Sequence, residues 1–126
     1  MAFGDIGGAV TELIVTCRTR ESGTVSIAKN DALKLVGPYE VDNVTEAEDA
    51  VFGQAMAEAK TNGVAIPVRV RGVCLFAYTG AAPAVDGVHG VTASATGGKV
   101  KAPASGTGTG VNLKADSAAS VVHVLL

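Results

Sequence analysis

Tryptophan is absent from this chain of 126 residues, and phenylalanine and tyrosine together number five. So few aromatics leave little to stack on sugar rings, which disfavours a carbohydrate- or surface-binding β-sandwich module. The formal net charge is only −2. Phosphate binding needs clustered Lys and Arg that release counterions, so no nucleic-acid partner is expected. No run reaches the ~18 apolar residues of a membrane span, so no membrane partner is expected either. The start, Met1-Ala2-Phe3-Gly4-Asp5, lacks a basic region and a following apolar stretch, and no signal peptide is expected.

Chemistry-bearing residues are equally scarce. Cys17 and Cys74 stand 57 positions apart without C-x-x-C spacing, so they make no zinc site. Both fall in predicted strands and read as reduced, buried thiols, with a disulfide as the alternative. His89 and His123 are the only histidines. His123 is expected on the strand face opposite Val122 and Val124, and no Gly-x-Ser-x-Gly elbow supplies a nucleophile for it. Neither an enzymatic activity nor a cofactor or metal is expected.

What is present points to strands. There are 19 Val, 11 Thr and 4 Ile against 7 Leu and 2 Met. β-branched side chains are stiff at χ1 and suit a pleated surface. Sixteen Gly divide the chain into short segments, as turns between short strands require. The length suits one domain. The predicted fold is mainly β: a small β-barrel or sandwich of short strands over residues 12–126, with a flexible, extended N-terminal arm over residues 1–11.

Strands are predicted at 12–17, 24–27, 33–36, 39–44, 64–71, 73–78, 88–93, 99–102, 111–115 and 121–126. Ile66, Val68 and Val70 alternate with Pro67, Arg69 and Arg71, the clearest period of two in the chain. Pro67 cannot donate to a ladder and is expected at a strand start or edge. Gly72 marks a bulge or bend, and Thr96-Gly97-Gly98 a hairpin turn. The strand over 39–44 has a partly apolar face and is expected at a sheet edge. Residues 45–60 carry two readings. Thr45 and Glu48 match a helix capping box, with Val51, Phe52, Ala55, Met56 and Ala59 at helical spacing. Alternatively, a loop leads into a strand from Val51 to about Ala57.

Three constellations remain. Glu40, Asp42, Glu46, Glu48 and Asp49 form an acidic run read as a solvated face, since their spacing is not that of a calcium loop. Gly106-Thr107-Gly108-Thr109-Gly110 lacks the Lys of a P-loop and a following helix, and reads as a flexible loop. Arg69 and Arg71 share one strand face, where they either meet an acidic partner or keep the strand soluble.

The order Val51-Phe52-Gly53-Gln54-Ala55, then Ile66-Pro67-Val68-Arg69-Val70-Arg71-Gly72-Val73, Asp86-Gly87-Val88, Gly97-Gly98-Lys99-Val100, the Gly-rich 106–110, and Val111-Asn112-Leu113 to Val121–Leu126 resembles the head-decoration, or capsid cement, proteins of tailed bacteriophages. The resemblance implies a small β-barrel that forms homotrimers on a capsid, with strand rather than helix at 51–57 and no catalytic residue. It implies the major capsid protein of a phage as partner. The location it implies is the outer capsid surface of the virion, with the host cytoplasm occupied during assembly. With the resemblance, the arm is expected to contact the capsid or a neighbouring subunit through Phe3 and Ile6 as apolar anchors, with Arg69 and Arg71 as the competing docking face.

Overall fold

Alternating burial builds the first sheet. In the computed structural model, which describes residues 12–126, five strands close into a barrel. They are β1 (Leu13–Thr19), β2 (Ala32–Gly37), β3 (Glu40–Asn43), β4 (Gly53–Ala55) and β5 (Ala65–Arg71), in the order β1-β3-β2-β4-β5. Ile66, Val68 and Val70 of β5 point inward and are buried, while Pro67 and Arg69 face outward. A parallel pairing of β1 with β3, Arg18 opposite Glu40 and Thr19 opposite Val41, closes the barrel; its other pairings are antiparallel. The mainly-β fold expected from composition is therefore correct, and no helix occurs among the described residues. The arm expected over residues 1–11, with Phe3 and Ile6, lies outside the described residues.

Pro67 is the third residue of β5, not its start, and β5 has neighbours on both sides. Its carbonyl accepts from Met56 N at 3.0 Å. In an antiparallel strand a residue's nitrogen and carbonyl face the same side. The missing N–H therefore faces a side on which β4 has already ended at Ala55.

Gly72 lets the chain leave the barrel. With φ +118°, a value L side chains rarely adopt, it turns β5 directly into β6 (Val73–Ala77) of a second sheet. Gly72 and Leu126 exchange backbone hydrogen bonds at this bend. The second sheet runs β6-β10-β9, with β9 at Val111–Asp116 and β10 at Val121–Leu125. A small hairpin, β7 (Thr92–Ala93) and β8 (Val100–Lys101), turns through Thr96-Gly97-Gly98 as predicted. The inner face of the second sheet buries Cys74, Phe76, Val122 and Val124 against Val91 and Val100. Cys17, Ile27, Leu33, Val41, Ile66 and Val68 fill the barrel as a separate cluster. Each such side chain stabilises the fold by roughly 1.5–3 kcal/mol through apolar burial.

Besides the position of Pro67, four expectations change. The 39–44 segment is not an edge: β3 lies between β1 and β2, and Val41 and Asp42 are buried. Residues 24–27 form no strand; Ile27 makes a single bridge to Ala59. The strand over 88–93 shortens to Thr92–Ala93, because Gly90 and Val91 bond to the 107–109 backbone instead. The same bonds pin the Gly-rich run, so 106–110 is a docked segment with Gly106, Gly108 and Gly110 all at positive φ. In the ambiguous 45–60 stretch, only Gly53–Ala55 is strand. The helical reading fails at Glu48, whose φ of +71° is left-handed and whose N donates to Ala93 O at 3.0 Å.

Candidate functional site

The strand directions define two ends of the barrel. β1, β3 and β4 begin, and β2 and β5 finish, at one end. The opposite end is plugged. The loops there carry Val25, Ile27 and Ala59 into the core, and Ile27 and Ala59 exchange two backbone hydrogen bonds of 2.9 Å.

The first end is open among the described residues. A concavity of about 430 Å³ enters it, lined by Leu13, Val15, Leu35, Pro38, Tyr39, Phe52, Val70 and Arg71. Val15 and Phe52 pack on the barrel core, so the core itself forms the floor. The rim is apolar and uncovered, with Leu13 and Leu35 each 51% and Tyr39 70% exposed. Tyr39 follows Pro38 with φ +52°, a position where turns favour Gly or Asn. A neighbouring concavity of about 530 Å³ shares Leu35 and Phe52 and carries the Lys34–Asp49 ion pair at 2.9 Å.

A second uncovered surface is the outer face of the β6-β10-β9 sheet. Val73 and Leu75 of β6, Leu113 of β9 and Leu125 of β10 are all exposed. His123 sits among them, opposite Leu75 and Lys114 in register and partly exposed. It lies on the face predicted for it, away from buried Val122 and Val124.

Arg69 and Arg71 separate in role. Arg69 donates to Gln54 Oε1 at 3.4 Å, to Val73 O at 3.3 Å and to Glu12 Oε1 at 3.3 Å. Gln54, only 2% exposed, donates in turn to Leu75 O at 2.7 Å and Asn30 O at 3.3 Å. The pair thus ties the barrel to the second sheet, and Arg69 is engaged inside the molecule. Arg69 Nε is buried without a partner. Arg71 is exposed at the rim of the open end, where it donates to the adjacent Val70 O and has no carboxylate partner among the described residues.

The acidic run is a solvated face only in part: Glu46 and Glu48 are exposed, Glu40 and Asp49 are half-buried and Asp42 is buried. Glu40 pairs with Arg18, Asp42 with Arg20, Asp49 with Lys34 and Glu48 with Lys101. The Lys101 ammonium holds the Glu48 carboxyl below its ordinary range. Asp86 accepts from the backbone of His89 and Val88 and touches the His89 ring, which together lower its pKa to about 2. Asp31 moves the other way, raised by burial against an opposing hydrogen bond from Ala28 N. Cys17 and Cys74 are free, buried, and sit in the two separate clusters. Burial raises both thiol pKa values, with Arg69 partly offsetting the shift at Cys74. Among the described residues no group of three or more His, Cys, Asp and Glu is placed to hold a metal ion. Phe76 and Tyr78 are buried and Phe52 partly so; of the described aromatics only Tyr39 is exposed.

Sequence reasoning missed the open barrel end and Gln54. The signal for Gln54 was a lone amide within Val51-Phe52-Gly53-Gln54-Ala55-Met56-Ala57. The signal for the open end was the short Gly37-Pro38-Tyr39 turn, too tight to cover a barrel. No protein-family model matches the chain, and neither a curated protein nor a solved structure matches it significantly.

Proposed function

We propose that this chain is a structural virion protein that binds the outer surface of an assembled bacteriophage capsid as a homotrimer and stabilises the shell. The observation that carries this reading is a pair of uncovered apolar surfaces on one small β protein: the open barrel end and the outer face of the β6-β10-β9 sheet. Large exposed apolar patches mark interaction surfaces. Head-to-tail association into a closed ring joins two different patches on each copy. The order of residues from Val51 to Leu126 that resembles decoration proteins supports the same reading.

The proposed partner is the major capsid protein, and the proposed location is the capsid exterior, reached from the host cytoplasm. Individual contacts need not be strong, because a trimer adds to a lattice multivalently. A ligand that prefers the assembled shell stabilises it by mass action. Phe3, Ile6 and the rim residue Arg71 are the proposed contacts, whereas Arg69 acts by holding the sheet against the barrel.

Cosedimentation with undecorated capsids, built from the major capsid protein of the same genome, tests this. Binding should saturate at a multiple of three copies per site. It should persist at 1 M salt, where the Debye length falls to ~3 Å from ~10 Å at 0.1 M. A chain that stays in the supernatant, or that scatters light as a monomer at tens of micromolar and on the shell, refutes the proposal.

A further inference from the structure

Of the asparagines in this chain, only Asn62 precedes a glycine. In an Asn-Gly pair the glycine nitrogen can reach the asparagine amide carbon, because glycine has no Cβ to obstruct the approach. The side-chain amide of such a pair is thermolabile. A bulkier following residue hinders the step, and Asn30, Asn43 and Asn112 precede Asp31, Val44 and Leu113. Asn62 and Gly63 lie in an exposed turn between β4 and β5, with Gly63 at φ +67°.

This turn sits at the plugged end of the barrel. Its own anchor is buried Thr19, whose Oγ1 donates to Thr61 O at 2.7 Å and accepts from Val64 N at 3.1 Å. Thr19 N also donates to Val64 O at 2.9 Å. Asn62 instead bonds the segment that leaves β1. Its Nδ2 donates to Arg20 O at 3.0 Å and to Gly23 O at 2.9 Å, and Gly63 N donates to Arg20 O at 3.1 Å. Among the described residues, no other hydrogen bond reaches the main chain of residues 20–24. That segment leads directly into Val25 and Ile27, which fill the barrel end. One side-chain amide therefore supplies most of what latches it.

We propose that Asn62 is a site of spontaneous deamidation, protected while residues 20–24 are latched and irreversible once it reacts. Gly63 N gives up its proton and attacks Asn62 Cγ. The new C–N bond closes a cyclic succinimide, and Nδ2 leaves as ammonia with that proton. Water then opens the ring at either carbonyl, leaving aspartate or isoaspartate. One water is consumed, one ammonia is released, and nothing is oxidised or reduced. In the folded chain two carbonyls hold the leaving amide and a third hydrogen bond holds the attacking N–H, so reaction proceeds from the opened latch. The product places a carboxylate, which only accepts, against Arg20 O and Gly23 O, which also only accept. The segment already carries Glu21, so the new charge meets a like one. The latch does not close again, and because Thr19 keeps the turn in place, the loosening falls on residues 20–24. The inference goes beyond the capsid reading and does not rest on it.

The test holds the full chain in mildly alkaline buffer, folded and in concentrated urea, and follows the Thr61–Arg69 tryptic peptide by mass spectrometry. Each hydrogen bond is worth roughly two- to ten-fold, so the three together should slow the folded chain by at least about ten-fold. In urea, Gly63→Ala should slow the reaction further, a readout that needs no folding. Asn62→Asp, the direct product, should be cut by trypsin after Arg20 several-fold faster than the parent, with cleavage after Arg69 and Arg71 unchanged. Equal rates in folded and unfolded chains overturn the protection. An unfolded chain that keeps its amide while an Asn-Gly reference peptide loses its own overturns the site. Parental cleavage after Arg20 in Asn62→Asp, or acceleration at all three arginines together, overturns release of this one segment. No readout involves a capsid, so failure here is distinguishable from failure of the proposed function.

Discussion

Replacing Gly90 by alanine should be among the most damaging single changes in this chain, although it adds one methyl group. An added Cβ would stand 1.9 Å from Thr109 O and 2.4 Å from Gly110 O. Both obstacles are backbone, so relief requires separating the 89–91 segment from the 107–110 segment. That separation breaks Gly90 N to Thr107 O at 2.8 Å and the reciprocal pair between Val91 and Thr109, at 3.0 and 2.8 Å. It also removes Asn112 Nδ2 from Gly90 O at 3.1 Å, inside a buried site. Four hydrogen bonds at about 0.5–1.5 kcal/mol each give a loss of about 2–6 kcal/mol, against a typical total stability of about 5–15 kcal/mol. Urea unfolding of the two proteins is the assay. With a slope of about 1–3 kcal/mol per molar, the midpoint should fall by roughly 1–3 M. Gly106→Ala is the control. It has φ +73° and nothing within 4 Å of an added Cβ, so only backbone strain, partly offset by a stiffer unfolded chain, applies. Its loss should stay near or under about 1 kcal/mol. If Gly90→Ala shifts the midpoint no more than Gly106→Ala does, the docking of the glycine run on 89–91 is refuted.

Gln54→Ala should cost about 2–4 kcal/mol, because it leaves Leu75 O and Arg69 without their bridging partner in a buried joint; a urea midpoint within error of the parent would contradict that role. Asp86 makes stability pH-dependent with a definite sign. Its folded pKa is depressed to about 2, so its contribution is complete above the ordinary carboxylate range of ~4 and disappears as pH falls through about 2. Stability should therefore fall less steeply between pH 4 and pH 2 in Asp86→Asn than in the parent, and equal slopes by thermal melting would rule this out. Cys17 and Cys74 should react with an aromatic disulfide reagent at pH 8 only as fast as the chain opens, both thiols being buried with raised pKa values. Either thiol titrating within seconds in the native protein would show that its burial is wrong.

The local features were legible and the non-local ones were not. The alternation from Ile66 to Val70 could be read because inward and outward positions of a barrel strand repeat every two residues. Gly72 and Thr96-Gly97-Gly98 could be read because each forces a local conformation. Barrel closure could not, since it depends on β1 meeting β3 in parallel, a pairing that no turn encodes. That one pairing converted the expected edge strand at 39–44 into an interior one. The acidic run misled for the same reason: its partners Arg18, Arg20, Lys34 and Lys101 come from elsewhere in the chain. At 45–60 the capping-box pattern is present, but Glu48 takes a left-handed backbone that lets it bond Ala93, Lys101 and Ala104. Tertiary partners outbid the local helical preference there. Of the nominated site residues, the pairing of Arg69 with Arg71 was reasonable by strand parity, yet Arg69 is drawn inward by Gln54, a residue whose burial only the fold reveals.

The distribution of charge narrows how this surface can recognise anything. Four of the five acids between Glu40 and Asp49 are paired within the molecule, and Arg69 is held by Glu12. Each of these pairs keeps at least one partner in contact with water, so solvent screening leaves each a small contribution to folding. Their larger effect is to cancel the local field, because each acid has its counterion at contact distance and little potential extends beyond a Debye length. The apolar side chains behave oppositely. Leu13, Leu35 and Tyr39 at the barrel end, and Val73, Leu75, Leu113 and Leu125 on the sheet, have no comparable neighbour among the described residues to hide them. A surface with neutralised charge and uncovered carbon gains little from long-range steering and much from close fit. The partners proposed above, other copies of this chain and a repeating lattice, suit such a surface because a lattice presents its sites already concentrated.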